Sequence, residues 1–190
     1  VDTSRQMTFR NARNGSLIPV LDYDGREYPL HSTIDPLREG ERFYGSFASG
    51  GYLVFFGFGA GYHIRPFLER KDISGILIID YDLSILRSIL LRFDVRDIIL
   101  DDRVRFLIDP SDEDISEEML HNYLPAVSGD LRFLRLRSRV RTLEETFAEA
   151  GEAMQKVLDP LSEDYSVQSY FGKRWFFNSI MNLELAEKAG

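Results

Sequence analysis

Long apolar runs alternate with amphipathic stretches in the middle of the chain. Residues 52–56 and 75–80 are continuous apolar, β-prone runs, typical of strands buried on both faces of a parallel sheet. Residues 104–109 form a third such run, and Arg105 within it indicates a position nearer the sheet edge. Residues 131–140 are predicted as a fourth strand. Between the first three strands, apolar residues recur at helical spacing, so the pattern predicts right-handed βαβ crossovers and a parallel sheet.

The first 47 residues have a different pattern. A β-hairpin is predicted here. Its two strands are the short runs at residues 17–21 and 27–30, and Asp24-Gly25 between them is a strong turn signal. Asp35 before Pro36 indicates a helix start, because the carboxylate can cap the helix and the first helical position does not need proline's missing N–H. We therefore expect a small β appendage followed by a short helix that leads into the α/β part.

The end of the chain has a helical pattern. Thr142 with Glu145 predicts a capping box. Apolar residues then fall on one helical stripe, formed by Leu143, Phe147, Ala150, Met154, Val157 and Leu161. A further helix from about Tyr170 is apolar on nearly every side, so a downstream domain or a second copy of the chain is expected to cover it. The predicted layout is an appendage at 1–47, a Rossmann-like domain at 48–141 and C-terminal helices at 142–190.

Composition excludes several classes of protein. The chain has 23 basic and 31 acidic side chains, a net charge of −8, which is opposite to the balance needed for nonspecific nucleic-acid binding. No apolar run has the length of a membrane span, and no secretory signal is evident near the start. There is no cysteine, which excludes disulfides and thiolate zinc sites and fits a cytoplasmic protein. The three histidines have no metal-ligand spacing, so no metal site is predicted.

A glycine-rich turn follows the first predicted strand directly, in LVFFGFGAGYHIRPFL at residues 53–68. Gly57, Gly59 and Gly61 occupy the place where a βαβ ligand site needs a tight turn and a close backbone approach. Asp80 and Asp109 end the second and third strands at the same sheet edge, where carboxylates can accept hydrogen bonds from ribose hydroxyls. These five residues are the leading candidates for binding a nucleotide or related ligand; the alternative is that they only build the fold.

The type of nucleotide depends on the residues around the glycines. Tyr62 occupies the close-packing position of the dinucleotide motif, which argues against NAD. The spacing of the glycines, with Asp80 and Asp109, resembles the S-adenosylmethionine-dependent methyltransferases, although the acid of that family two residues before the first glycine is here Phe55. The expected fold is therefore α/β, a Rossmann-like (methyltransferase-like) parallel sheet flanked by helices. S-adenosylmethionine or a nucleotide is the candidate cofactor, and neither is established by the residues.

Two weaker candidate sites remain. His63 lies in the first turn after the glycines, where it could face a ligand phosphate, whereas His31 is interpreted as structural. Arg135, Arg137 and Arg139 alternate with other residues, so on a strand they would share one face and could bind an anion or a sugar-nucleotide phosphate. The other interpretation is a solvated strand end that balances the acidic helix after it.

Taken together, four segments resemble the N-terminal half of the bacterial motility accessory factor (Maf) proteins. They are YPLHSTIDPLREGERF, LVFFGFGAGYHIRPFLE, ILIIDYDLSILRSIL and the closing WFFNSIMNL. The resemblance implies a cytoplasmic role in flagellin glycosylation, in which a central domain transfers a nonulosonic acid from its CMP-activated form to flagellin. That domain's own glycine-rich block is absent from this sequence, so no catalytic residue can be assigned here.

Two functions follow from these observations. The first is an accessory, noncatalytic N-terminal domain of a flagellin glycosyltransferase, whose partners are the downstream catalytic domain, a second copy of the chain and flagellin. The alternative is a methyltransferase-like domain that binds S-adenosylmethionine or a nucleotide. Neither interpretation involves nucleic acid or a membrane.

Overall fold

The structure is a computed structural model that describes residues 5–45, 47 and 50–161. Its N-terminal part is an antiparallel sheet of three strands, β1 (Gln6–Asn11), β2 (Leu17–Tyr23) and β3 (Arg26–Pro29), in the order β1-β2-β3. The predicted hairpin is confirmed: Asp24 and Gly25 both have positive φ, as the tight turn between β2 and β3 requires. Strand β1 was not predicted, because its polar, mostly exposed residues carry no apolar run.

Helix α1 (Pro36–Gly45) follows this sheet. The Arg38 N–H donates to the Asp35 carboxylate at 3.0 Å, so Asp35 caps the helix as predicted. Gly40 allows α1 to pack closely on the loop after the first parallel strand, because a Cβ at this position would lie 2.2 Å from the Tyr62 carbonyl oxygen.

The predicted parallel sheet is confirmed. It contains β4 (Gly51–Phe56), β5 (Ile73–Asp80), β6 (Val104–Ile108) and β7 (Leu131–Arg135), all parallel and in the order β6-β5-β4-β7. Every residue of β4 is buried, which explains its uninterrupted apolar sequence. Strand β6 lies at an edge of the sheet, as Arg105 indicated.

Short helices connect the strands, and hydrophobic cores cover both faces of the sheet. The connecting helices are α2 (Arg65–Leu68), α3 (Leu83–Leu90), α4 (Arg96–Ile99), α5 (Asp112–Asn122) and α6 (Pro125–Ser128). One core contains Phe55, Phe58 and Phe67, and it also includes Leu21 and Leu30 of the N-terminal part. The antiparallel sheet therefore packs against the α/β unit through a shared core. Within the described residues, no helix has the length and apolarity needed to span a bilayer.

The fourth strand is shorter than predicted, and this changes the arginine run. Strand β7 ends at Arg135, and the chain then forms α7 (Arg137–Val140). The Leu136 N–H makes a last bond to the Phe56 carbonyl, after which the Arg139 N–H bonds to the Leu136 carbonyl and closes a helical turn. The prediction that Arg135, Arg137 and Arg139 share one strand face is therefore wrong. The helical turn instead places the buried Arg139 side chain beside a carboxylate, as described below.

A long helix, α8, covers the second face of the sheet over residues 144–161. Phe147, Ala150 and Met154 of the predicted stripe are buried there against β4 and β5 residues, which confirms the stripe. The predicted capping box is wrong. The Thr142 hydroxyl donates to the Arg139 carbonyl at 2.7 Å instead of capping α8, because it belongs to the hydrogen-bond network of Arg139. The predicted terminal helix from about Tyr170 lies outside the described residues.

Candidate functional site

The candidate site lies at the carboxyl end of β4. The chain runs from β4 to β5 and β6 on one side of β4, whereas β7 lies on its other side. Such a switch point leaves a crevice beyond the carboxyl ends of the strands, and open α/β sheets bind their ligands there. Gly57, Gly59 and Gly61 form the loop at this crevice, all with positive φ, so the predicted turn is present where a ligand site requires it.

The protein's own side chains occupy the space that these glycines create. A Cβ at Gly57 would lie 2.9 Å from Cγ of Arg139. At Gly59 it would lie 2.5 Å from Nε2 of His31 and 2.7 Å from Leu136 Cδ2, and at Gly61 it would lie 2.3 Å from a methyl carbon of Ile98. The absent side chains therefore make room for protein atoms in this structure.

Asp80 stands at the end of β5, beside the glycine loop, as the sequence predicted. Its side chain is buried, with 4% of the residue exposed, and one oxygen accepts the Phe58 N–H at 2.8 Å. The other oxygen accepts the Tyr81 N–H at 2.7 Å and Nε of Arg139 at 2.9 Å. The carboxylate thus holds the glycine loop to β5 and neutralises a buried guanidinium, so both oxygens are already engaged by the protein.

Arg139 is completely buried, with 0% of its surface exposed. Besides the ion pair with Asp80, its guanidinium donates to the Tyr81 carbonyl at 2.6 Å and to the Thr142 hydroxyl at 2.9 Å. A buried charge needs both a counter-ion and hydrogen-bond partners, and Arg139 has both. Of the three arginines in the predicted anion site, this one therefore faces the protein interior.

Asp109 follows β6 and does not reach the crevice between β4 and β7. Its two oxygens accept the N–H groups of Asp82 and Leu83 at 2.7 and 3.2 Å, at the start of α3. Its own N–H donates to the Asp80 carbonyl at 3.0 Å. The structure therefore places Asp109 at the sheet edge, as predicted, where it ties β6 to the start of α3.

His31 contacts the glycine turn, which sequence reasoning did not anticipate. Its Nε2 accepts the Ala60 N–H at 2.8 Å, so the proton lies on Nδ1, which donates to the Glu39 carboxylate at 3.3 Å. Burial lowers the pKa of His31 even though Glu39 acts to raise it. Burial opposes ionisation of Glu39, but its bonds to His31 and the Ser32 N–H outweigh this, and the pKa of the Glu39 carboxyl is lowered. The ring is thus a neutral link between α1 and the turn. One feature of the sequence could have drawn attention to this pair: His31 and Glu39 both lie in the YPLHSTIDPLREGERF segment, one of the four that resemble the Maf proteins.

His63 is buried, with 2% of the residue exposed. Its Nε2 donates to the Gly57 carbonyl at 3.2 Å, which leaves Nδ1 as an acceptor without a hydrogen-bond partner among the described residues. Burial, with a smaller contribution from His31, lowers the pKa of His63 well below its ordinary value. The side chain is neutral and braces the glycine turn from within the protein.

A cavity lies next to the filled crevice. Its volume is about 350 Å³, and its polar lining includes His31, Glu39, His63, Arg135, Arg137 and Ser138. Arg137 is exposed here. Arg135 is exposed as well, but its guanidinium lies 5.9 Å from the centre of the Phe56 ring, which belongs to the core on the other face of the sheet. None of the three glycines, Asp80, Asp109 or Arg139 lines this cavity. In the part of the chain that the structure describes, no three His, Asp or Glu side chains are grouped to hold a metal ion.

Comparison with known proteins decides the family. Residues 31–125, half of the 190-residue chain, match the family described as the glycosyltransferase Maf N-terminal domain. The chain belongs to this family. The Maf N-terminal domain match includes His31, the glycine turn, Asp80 and Asp109, and it ends before Leu136 and Arg139.

Individual relatives and structures are similar over parts of the chain. An uncharacterized protein of Treponema pallidum (strain Nichols) is 31% identical over 97 residues, which are 50% of this chain and 45% of that protein. The alignment thus spans less than half of that relative. Among solved structures, a spermidine synthase in complex with the transition state analogue AdoDATO has a TM-score of 0.46 and 13% identity, over 62% of this chain and 40% of the synthase. The spermidine synthase from Thermotoga maritima has a TM-score of 0.41 and 11% identity, over 59% and 50% of the two chains.

Proposed function

We propose that this chain is an accessory, noncatalytic domain of a motility-associated glycosyltransferase that works in the cytoplasm. In this proposal a central domain, downstream in the full protein, transfers a nonulosonic acid to flagellin. Membership of the Maf N-terminal domain family supports the glycosyltransferase context. The acceptor and the sugar rest on the resemblance of the four sequence segments to motility accessory factors.

The observation that carries the noncatalytic part is the filled crevice. The Arg139 stem lies against Gly57, and His31 and Leu136 lie against Gly59. In cofactor-binding sites of this type, the protein backbone comes close to the cofactor at this point. A nucleoside that entered here would displace Arg139 from Asp80 and leave a buried carboxylate without its counter-ion. Breaking such a buried pair costs about 3–5 kcal/mol, which a ligand's binding energy must first offset.

The same geometry indicates what the domain contributes to the full protein. Distant segments are joined by the His31 contact with the turn, the Asp80–Arg139 pair and the Asp109 bonds to α3. An α/β domain whose crevice is filled by its own side chains is suited to packing on a catalytic domain, to oligomerisation or to holding flagellin. The corresponding partners are the downstream catalytic domain, a second copy of the chain and flagellin.

Thermal melting with candidate cofactors tests the noncatalytic proposal against the methyltransferase alternative. A ligand at 100 times its Kd stabilises a protein by about 2.7 kcal/mol, worth roughly 5–10 °C for a chain of this size. We expect S-adenosylmethionine and S-adenosylhomocysteine at millimolar concentration to leave the Tm unchanged. A reproducible rise with either compound favours the methyltransferase-like function instead.

A transfer assay tests the glycosyltransferase context. The chain alone is expected to transfer no sugar from a CMP-activated nonulosonic acid to flagellin, whereas the protein extended through the downstream domain is expected to do so. Mass spectrometry of flagellin gives the readout. Transfer by this chain alone contradicts the noncatalytic assignment, and an extended protein inactive on flagellin contradicts the proposed acceptor.

A further inference from the structure

Four arginines contribute to the walls of two adjoining cavities next to the filled crevice. Arg135 and Arg137 line the cavity of about 350 Å³, and Arg38 and Arg42 of α1 line a neighbouring cavity of about 580 Å³. The two cavities share three lining residues, Ser32, Glu39 and Phe43, so together they form one groove. This is the arginine groove.

These arginines differ from most others in the described part of the chain. None of the four has a carboxylate within 4.0 Å there, although the whole chain carries a net charge of −8. Nine other arginines do have such a partner: Arg5, Arg10, Arg65, Arg70, Arg96, Arg103, Arg105, Arg132 and Arg139. Five more without an acidic partner, Arg13, Arg26, Arg87, Arg92 and Arg141, line neither cavity. The groove therefore has guanidinium groups that form no ion pair with a carboxylate of the described residues.

The two acidic residues in the groove are engaged elsewhere. Glu39 accepts from Nδ1 of His31 and from the Ser32 N–H, at 3.3 and 2.9 Å. Asp35 accepts from Nδ2 of Asn14 and from the Arg38 N–H, at 2.9 and 3.0 Å. Both carboxylates thus hold backbone and side chains at the start of α1, and neither pairs with a groove guanidinium.

We infer that the arginine groove binds a small organic oxyanion, a phosphate ester or a carboxylate. Guanidinium groups bind both oxyanions through paired N–H donors, and they bind them more strongly than neutral donors do. Pro29, Phe43 and Leu136 supply an apolar wall for the organic part, and the volume of the smaller cavity is in the range of small-molecule sites. The ligand lies outside the glycine turn and away from Asp80, so this site is independent of the accessory role and of any cofactor in the switch-point crevice.

Calorimetric titration of the chain at constant ionic strength tests the inference. The probes are ribose 5-phosphate, gluconate and neutral ribose, at millimolar concentration. We expect one of the two acids to bind and ribose not to bind. The Arg38→Gln/Arg137→Gln double variant is expected to weaken binding of that acid about tenfold or more, because two charge-assisted contacts are lost. The matched control is Arg26→Gln/Arg87→Gln, which removes the same charge from exposed arginines outside the groove.

The outcomes separate the ligand classes. Binding of ribose 5-phosphate alone assigns a phosphate ester and binding of gluconate alone a carboxylate; either result supports the site, as does binding of both. The proposed site is overturned if ribose binds as well as the acids, if neither acid binds, or if the control double variant weakens binding equally. Circular dichroism checks that each variant is folded. Arg137→Gln alone repeats the test and, like the double variant, leaves Arg135 and its contact with the Phe56 ring in place.

Discussion

Replacing Arg139 by Met tests whether the filled crevice stabilises the fold. Met keeps most of the aliphatic stem that lies against Gly57, but it removes the guanidinium. Asp80, which is 4% exposed, then keeps its two backbone N–H donors and loses its counter-ion. The Tyr81 carbonyl and the Thr142 hydroxyl each lose a donor as well.

The expected loss of stability follows from these contacts. Removing one partner of a buried ion pair destabilises proteins by about 3–5 kcal/mol, because the remaining charge is uncompensated. For a chain of this length each kcal/mol lowers the Tm by roughly 2–4 °C, so the Tm of Arg139→Met is expected to fall by roughly 6–20 °C. Asp80→Asn combined with Arg139→Met is expected to lose less than the sum of the two single variants, because the double variant leaves no buried charge.

Urea unfolding followed by far-ultraviolet circular dichroism measures these free energies. Arg137→Met is the matched control: this residue lies two positions away in the same short helix, but its side chain is exposed and has no acidic partner among the described residues. The control is expected to change the free energy of unfolding by no more than about 0.5 kcal/mol. The reasoning is refuted if Arg139→Met and Arg137→Met are equally stable, or if the effects of Asp80→Asn and Arg139→Met simply add.

Two further predictions concern the glycine turn. Gly59→Ala is expected to lower the free energy of unfolding in urea by about 1–3 kcal/mol more than Gly15→Ala does. Both sites have positive φ, but only at Gly59 does the new Cβ meet packed side chains. Equal losses of stability would show that the turn is open. The pKa of buried His63 lies well below the 6.5 of an unfolded chain, so its stabilising contribution is complete above about pH 6.5 and is lost as pH falls below it, at up to about 1.4 kcal/mol per pH unit. Urea unfolding from pH 7.5 to 5 should therefore show a shallower loss for His63→Gln than for the natural chain, and parallel curves would contradict a neutral buried ring.

The strands of the parallel sheet could be predicted because burial on both faces leaves a continuous apolar run in the sequence. This holds for β4 and β5, whose ladder buries nearly every residue. Strand β1 could not be predicted in the same way, since its exposed polar residues pair with β2 without entering the core as a run. The prediction of where β7 ends was wrong for a different reason. Alternation around Arg137 fits a strand, but the chain forms a short helix there, and Arg139 pairs with Asp80, which is distant in the sequence.

The sequence by itself determined the parallel α/β sheet, the glycine turn at the end of its first strand, the acids at its carboxyl edge and the family resemblance. Each of these depends on residues close together in the chain, or on a pattern within one strand or helix. Only the tertiary structure decided what fills the turn. Nε2 of His31 reaches the Ala60 N–H from 29 residues away, and Arg139 reaches Asp80 across 59 residues. Local periodicity carries no information about such contacts, because they form only when separate segments pack into the same crevice. The glycine turn is thus packed against the protein's own side chains, and the cavity lies beside it.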